Sequence, residues 1–385
     1  MKNKLTHSTA LIFDPHHGSY FQYSHIISET VYTKNNISTF QEILNSISLK
    51  DSYPNRIIHI FYEYSFVLIH RLDLISNDKV LAIIQDFSQK KPIKFSCQST
   101  ALDQKIDIYL NTKEYQKIFE KGKKHLFLGN VYQFNLTTVA KKNLSPSQNL
   151  WPFIKLDPYP SPYFFSTYIK TLNQYFICNT PEILFQVNLQ DFTLISQPIK
   201  GTHPSKIQLL KQAKNTIELT MITDLICNDL NKLNPYKCIV EKKIELMQVP
   251  LLWHLYSKLS LPLKPEQKLW NIIDCLFPGG SITGCPKIKS IELLHSLEKT
   301  SYPENFSRGL YTGTSIFWRE KELIGTINIR LAQYDINSND LYFFGGGGIT
   351  TLSDSQDEFQ EAILKIQSLH SRLELIGQSE FFAYP

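Results

Sequence analysis

Three ionisable residues near the C-terminus, Glu358, Glu361 and Lys365, stand at i, i+3 and i+7 of a segment patterned as an amphipathic helix, Asp354 to Arg372. Ser353 or Asp354 can cap it by accepting the first free backbone N–H groups. Phe359, Ala362, Ile363, Ile366 and Leu369 form a stripe that should face a core, which leaves the Glu/Glu/Lys set on another face. Such a set is either a solvated ion-pair ladder or the mouth of a pocket that holds a divalent cation and an anion. Magnesium retains water and needs few carboxylates, so a partial ligand set suffices. Just upstream, Phe343-Phe344 leads into Gly345-Gly346-Gly347-Gly348-Ile349-Thr350. Four glycines after an apolar strand are either a mobile tight turn or a close backbone approach to a ligand, with successive N–H groups cradling a carboxylate. The run lacks the GxGxxG spacing, which argues against a dinucleotide fold.

The elements that must position these residues are strands separated by turns and followed by helices. Val131 to Thr138 alternates as a strand, and Tyr175–Cys178 and Ile183–Val187 read as a strand pair around Thr180-Pro181-Glu182. Residues 205–231 and 354–372 read as helices. Residues 1–120 carry strand-like runs (Ile57–Tyr64, Phe66–His70) and a helical pattern over Asp78–Gln89, with no nameable chemistry. The absence of regular βαβ alternation predicts an α+β fold. With 385 residues and 42% hydrophobic content the chain can bury a large core. The net charge of +5 is dispersed, and basic runs such as Lys121–Lys124 lack interleaved stacking aromatics, so nucleic-acid binding is not expected. No apolar stretch approaches transmembrane length, and no apolar region follows Lys2 and Lys4 as a signal peptide requires. The six cysteines form no CxxC pair and no zinc spacing, which predicts reduced thiols and a cytoplasmic location.

Further motifs occur in order along the chain. They are Gly129-Asn130-Val131-Tyr132-Gln133-Phe134-Asn135-Leu136, Thr180-Pro181-Glu182, Pro198-Ile199-Lys200-Gly201-Thr202, and Glu218 with Asp224-Leu225-Ile226-Cys227-Asn228-Asp229-Leu230. Then come Phe277-Pro278-Gly279-Gly280-Ser281-Ile282-Thr283-Gly284-Cys285-Pro286-Lys287, Arg308-Gly309-Leu310-Tyr311-Thr312-Gly313, and Ile329-Arg330. Together with the glycine run and its Glu/Glu/Lys helix, this series resembles the chorismate-utilising enzymes. That family includes anthranilate synthase component I, aminodeoxychorismate synthase component I, and the isochorismate and salicylate synthases.

The resemblance implies two packed β-sheets flanked by helices. Residues 1–120 would contribute strands to this sandwich, 121–375 would form a chorismate-binding catalytic domain, and 376–385 a tail. It implies Mg2+ held by Glu218 and Glu361, with Glu358 supporting through water, where the metal would bind and orient the ring carboxylate. Arg330 and Tyr311 resemble the clamp on the enolpyruvyl carboxylate, a contact suited to a planar guanidinium. Gly201, Thr202, His254, Thr283, Lys365 and the amides of Gly346, Gly347 and Gly348 match further substrate contacts. In isolation each has a plainer reading: Arg330 a strand end, His254 a core histidine among Leu251, Trp253 and Leu255, Glu218 a helix surface.

Within the family, members that add water carry a lysine base where this chain has Gln133, and an amide cannot act as a base near neutral pH. The choice narrows to amine-adding members. Aminodeoxychorismate synthases typically place lysine, and anthranilate synthases alanine, at the position of Lys200. A lysine amine could attack ring carbon C2 as the C4 hydroxyl leaves, and ammonia could then add at C4 and expel the lysine. The amine must be uncharged to attack, which burial and a nearby cation would favour. Glu182 resembles the family acid that protonates the leaving hydroxyl, a task for a carboxyl with its pKa raised in a water-poor site. The plainer role for Lys200 is an ion pair to a carboxylate of the metal site. No glutaminase nucleophile motif is recognisable, so ammonia is expected from a separate glutamine amidotransferase subunit, with a separate lyase acting downstream. Two departures stand out: Cys227 replaces a usual arginine, and Asn215 a frequent acidic residue. The rival readings are an anthranilate synthase component I with an unusual lysine, and a non-catalytic chorismate-binding paralogue.

Overall fold

The computed structural model describes residues 9–93, 99–102, 105–144, 150–154, 160–203, 205–211, 213–249, 252–303 and 306–377. Antiparallel strands dominate, and most of them join into one large sheet that closes on itself, with helices packed outside. The layers expected as two sheets are therefore connected walls of one closed sheet. Strands from the first hundred residues are woven into it. Thr9–Asp14 pairs with Ser19–Tyr32 on one side and Phe165–Ile169 on the other, and Arg56–Ile60 pairs with Thr314–Arg319. A separate sheet joins Ser99–Ala101, Leu373–Gly377 and Leu150–Ile154. The expected tail thus begins inside a strand, and residues 378–385 lie outside the described set.

Two N-terminal segments depart from their sequence patterns. Phe66–His70, expected as a strand, overlaps the short helix Tyr64–Leu68, in which Tyr64 to Val67 are all buried. A short run buried on every side carries no period that separates helix from strand. The helical pattern over Asp78–Gln89 gives way to the strand Ala82–Ile93, which pairs with both Ser19–Tyr32 and Arg56–Ile60. Ala82 to Gln85 are buried on both faces, which erases strand alternation.

The site-bearing elements follow the sequence closely. The expected 205–231 helix consists of Lys206–Lys211 and Ala213–Leu233. The C-terminal helix spans Ser355–His370, and the Asp354 carboxylate caps it by accepting from the Gln356 and Asp357 amides at 2.8 and 3.2 Å. Its apolar stripe is buried against the sheet, with Phe359 and Ile363 joining Phe119, Phe134, Phe176 and Phe344 in one cluster. The glycine run is not a turn. It completes the strand Asp340–Ile349, paired along its length with Gln133–Asn143. A Cβ on Gly345 would lie 2.5 Å from the Ala362 carbonyl, so the missing side chain lets the helix rest directly on the strand.

Candidate active site

A cleft enclosing about 920 Å³, including its open mouth, is walled by four groups of elements. The Ala213–Leu233 helix supplies Lys214, Asn215 and Glu218, and the Ser355–His370 helix supplies Glu358, Glu361 and Lys365. Gly345 to Gly348 form the sheet side, and Ile199 to Gly201 enter from a neighbouring strand. Glu182, His254, Tyr311 and Arg330 complete the lining, so residues scattered over the sequence converge on one space.

Lys200 lies where its strand, Ile199–His203, slips register against Leu252–Pro262 between Lys200 and Thr202. Gly201 takes φ +68° there, a conformation glycine adopts without strain. Such a bulge re-aims a side chain. The Lys200 ammonium donates to the Ser281 carbonyl at 3.2 Å and stands 3.7 Å from Glu218 Oε2. Its side chain is 11% exposed, so it faces the carboxylate cluster from within the cleft. His254 pairs across the bulge with Thr202, and its Nδ1 donates to the Gly201 carbonyl at 3.1 Å, which assigns the proton to that nitrogen. Burial lowers the His254 pKa, so the ring is neutral at physiological pH.

Glu182 is buried, and burial raises its pKa above the ordinary carboxylate value, opposed in part by the Ser281 hydroxyl and the Lys200 charge. Its Oε1 has no hydrogen-bond partner. A carboxyl in this environment is suited to donate a proton rather than to stay ionised. On another wall Tyr311 stacks on Phe344 with ring centroids 5.1 Å apart. The Arg330 guanidinium donates to Ser368 Oγ at 2.7 Å, and burial lowers its pKa.

The acidic cluster has an uneven charge pattern. Glu218 and Glu358 are buried, whereas Glu361 sits at the rim with more than half its side chain exposed. The Lys365 ammonium pairs with Glu361 at 2.7 Å and donates to the Gly346 carbonyl at 2.8 Å. That cation holds the Glu361 pKa down to about 2. Burial raises the Glu358 pKa, with Lys214 pulling it back. Among the described residues no three His, Cys, Asp or Glu side chains stand as a ready-made metal cage. Even so, Glu218 Oε1 and Glu358 Oε2 are buried without a hydrogen-bond partner, and Glu358 Oε2 would touch a Cβ on Gly347 at 2.9 Å. Two orphaned carboxylate oxygens beside a glycine strand fit a hard cation that keeps part of its water.

One expected contact lies away from the cleft, and the side chain of another falls outside the described residues. Thr283 is fully buried and does not line the cleft; its hydroxyl donates to the Gly279 carbonyl at 2.8 Å. Thr202 is placed in its strand, but its side chain lies outside the described set. Conversely, Lys214 and Ser281 line the cleft without having been singled out, although Lys214 lies at the i,i+4 spacing from Glu218 that marks a helical ion pair. Other motif residues are scaffold. Arg308 forks onto Glu298 with contacts of 2.6 and 2.9 Å and donates to the Asn135 carbonyl at 2.8 Å, tying the Lys287–Lys299 helix to the strand that carries Asn135. Lys287 pairs with Asp229 at 2.8 Å. Gln133 is buried behind the cleft; a Cβ on Gly348 would meet its Nε2 at 2.7 Å and Lys200 Nζ at 3.3 Å. The five described cysteines are free thiols, and among the described residues no helix is long and apolar enough to cross a membrane.

A profile of chorismate binding enzymes matches residues 64–371. The chain therefore belongs to the chorismate-binding enzyme family. It is 28% identical to aminodeoxychorismate synthase component 1 of Bacillus subtilis over 68% of this chain and 56% of that protein. It is equally 28% identical to anthranilate synthase component 1 of Saccharomyces cerevisiae over 74% of this chain and 56% of that protein. The chain spans about half the length of the curated relatives it matches. In fold it is similar to anthranilate synthase component I from Streptococcus pneumoniae, with a TM-score of 0.68, 17% identity, and coverage of 94% of this chain and 90% of that one. It is similar also to the menaquinone-specific isochorismate synthase of Escherichia coli, with a TM-score of 0.66, 15% identity, and coverage of 96% and 89%. The family and its architecture are thus established, and both amine-adding activities appear among the relatives' names.

Proposed function

We propose that this protein is an aminodeoxychorismate synthase component I, converting chorismate and ammonia to 4-amino-4-deoxychorismate, the precursor of p-aminobenzoate for folate. The observation that carries this reading is the lysine at position 200, its amine inside the cleft 3.7 Å from Glu218 and in the same lining as Glu182. In the proposed reaction the Lys200 ammonium first gives up a proton, and the uncharged amine bonds to ring carbon C2 while the bond from C4 to its hydroxyl breaks. Glu182 supplies the proton with which that hydroxyl leaves as water. Ammonia then bonds to C4 as the bond from C2 to Lys200 breaks, so two displacements place nitrogen at C4. Gln133 offers no base to activate water, which disfavours hydroxylation.

Glu218, Glu361 and Glu358 are the residues that would hold Mg2+, which when bound offsets the ring carboxylate's charge. The buried, unpartnered Glu358 Oε2 favours Glu358 as a direct ligand in place of the supporting role through water expected from the resemblance, with Glu361 at the rim. Arg330 and Tyr311 would grip the second carboxylate, and the Gly346–Gly348 backbone would line the ring's face. Ammonia would come from a glutamine amidotransferase subunit, and a separate lyase would complete p-aminobenzoate formation. The decisive experiment incubates the protein with chorismate, ammonium and magnesium and identifies products with and without purified lyase. p-Aminobenzoate that depends on the lyase supports the proposal; anthranilate fluorescence without lyase replaces it with anthranilate synthesis.

A further inference from the structure

The Lys214 side chain stands where the two buried carboxylates converge. Its Nζ hydrogen-bonds Glu358 Oε1 and lies 3.6 Å from Glu218 Oε1, so one ammonium bridges the Ala213–Leu233 and Ser355–His370 helices. We infer that Lys214 is a resident counter-cation of the carboxylate pair, and that a divalent cation enters the site only by displacing it. The inference rests on the reading of Glu218 and Glu358 as the cation site, but not on which amine product is made.

Four observations support this competition. First, Glu218 and Glu358 expose only 6% and 2% of their side chains, too little for either to stand as an unpaired anion. Without a metal each needs a positive neighbour or a proton, and Lys214 is the neighbour that reaches both. Second, neither of the other two lysines lining the cleft bridges the pair: Lys365 is engaged with Glu361 and the Gly346 carbonyl, and Lys200, held by the Ser281 carbonyl, reaches only the opposite oxygen of Glu218. Third, the ammonium leaves Glu218 Oε1 and Glu358 Oε2 without hydrogen bonds, so it neutralises the pair without saturating it. A dication, which draws oxygen ligands from several directions, would use what the ammonium leaves over. Fourth, Lys214 keeps 28% of its side chain exposed, and its four-carbon stem allows the charged end to swing to solvent without disturbing the helix. Two positive groups within a few ångströms of one another in a buried site repel strongly, so occupancy by one excludes the other. Lys214 thus keeps the two helices drawn together in the metal-free protein and weakens metal binding by competition.

The test is direct binding of Mn2+ and Mg2+ to the full chain without chorismate, by calorimetry and by Mn2+ paramagnetic resonance, for wild type, Lys214→Met and Lys214→Arg. Methionine keeps the length and removes the charge; arginine keeps the charge. The expected result is at least tenfold tighter binding by K214M, with K214R no tighter than wild type. Metal-free K214M should also melt below wild type and recover when MgCl2 is added, a readout that survives even if the metal-free variant is poorly folded. Equal or weaker metal binding by K214M, no recovery on adding metal, or no metal binding by any of the three proteins overturns the inference. Anthranilate as the reaction product would overturn the proposed function and leave this inference standing.

Discussion

Replacing Lys200 with alanine separates a chemical role from a structural one, because the structure bounds what the side chain contributes to folding. Its ammonium makes one hydrogen bond, to the Ser281 carbonyl at 3.2 Å, and one longer pair, to Glu218 at 3.7 Å. A hydrogen bond involving a charged group contributes about 1.5–3 kcal/mol. Breaking a buried ion pair costs about 3–5 kcal/mol when the surviving charge is left alone. Here Glu218 retains Lys214 at 3.6 Å, so the carboxylate is not orphaned and the second cost is largely avoided. The expected loss of stability for K200A is therefore about 1–3 kcal/mol, a fraction of the roughly 5–15 kcal/mol of a typical folded domain. The variant should fold and bind chorismate within a few-fold of wild type. Product formation should drop by about 10³ or more, corresponding to roughly 4 kcal/mol of lost transition-state stabilisation. The assay is lyase-coupled p-aminobenzoate formation with saturating ammonium, alongside thermal melting and equilibrium binding of chorismate. K200A retaining more than about a tenth of wild-type turnover would refute the covalent route. Intact mass spectrometry of wild type quenched during turnover should show a lysine adduct at position 200, absent in the variant.

Two further perturbations follow from the site's electrostatics and its scaffold. Glu182 has its pKa raised by burial, so the folded protein holds its proton to a higher pH than the unfolded chain does. Its stabilising protonation is fully present below the unfolded value of 4.5 and is lost as pH rises through the folded value; Glu182→Gln should therefore melt higher than wild type at alkaline pH and no higher at pH 4, while losing most turnover. A melting difference between the two proteins that does not grow with pH contradicts this reasoning. Glu298→Gln removes the partner of an Arg308 side chain that is only 1% exposed, and should destabilise the fold by about 3–5 kcal/mol, read in a urea titration. A cost below about 1 kcal/mol would show that Arg308 does not depend on Glu298.

The C-terminal helix was legible because its cap, its apolar stripe and its charged face all pointed the same way. Asp354 caps it, Phe359 and Ile363 are buried, and Glu358 and Lys365 turn toward the cleft. The buried stretch from Tyr64 and the Ala82–Ile93 strand were not, since segments enclosed on all sides lose the polar alternation that reveals geometry. Lys200 was traceable through its motif, but its aim depends on the bulge at Gly201, which no local pattern announces. Thr283 shows that a residue inside a glycine-rich motif can bond the backbone, as it does to the Gly279 carbonyl, without lining the cleft. Lys214 carries no distinguishing sequence signal, because a lysine four residues before a glutamate usually decorates a helix surface. Only the arrival of Glu358 from the other end of the chain gives it a second partner.

That meeting of two distant helices also governs when the protein becomes competent. The sheet strand carrying Lys200 and the helix carrying Glu218 are synthesised well before Ser355–His370, yet the carboxylate pair has only one of its two buried members until that last helix docks. A chain ending before residue 355 would lack Glu358 and would leave the glycine strand bare where the helix should lie.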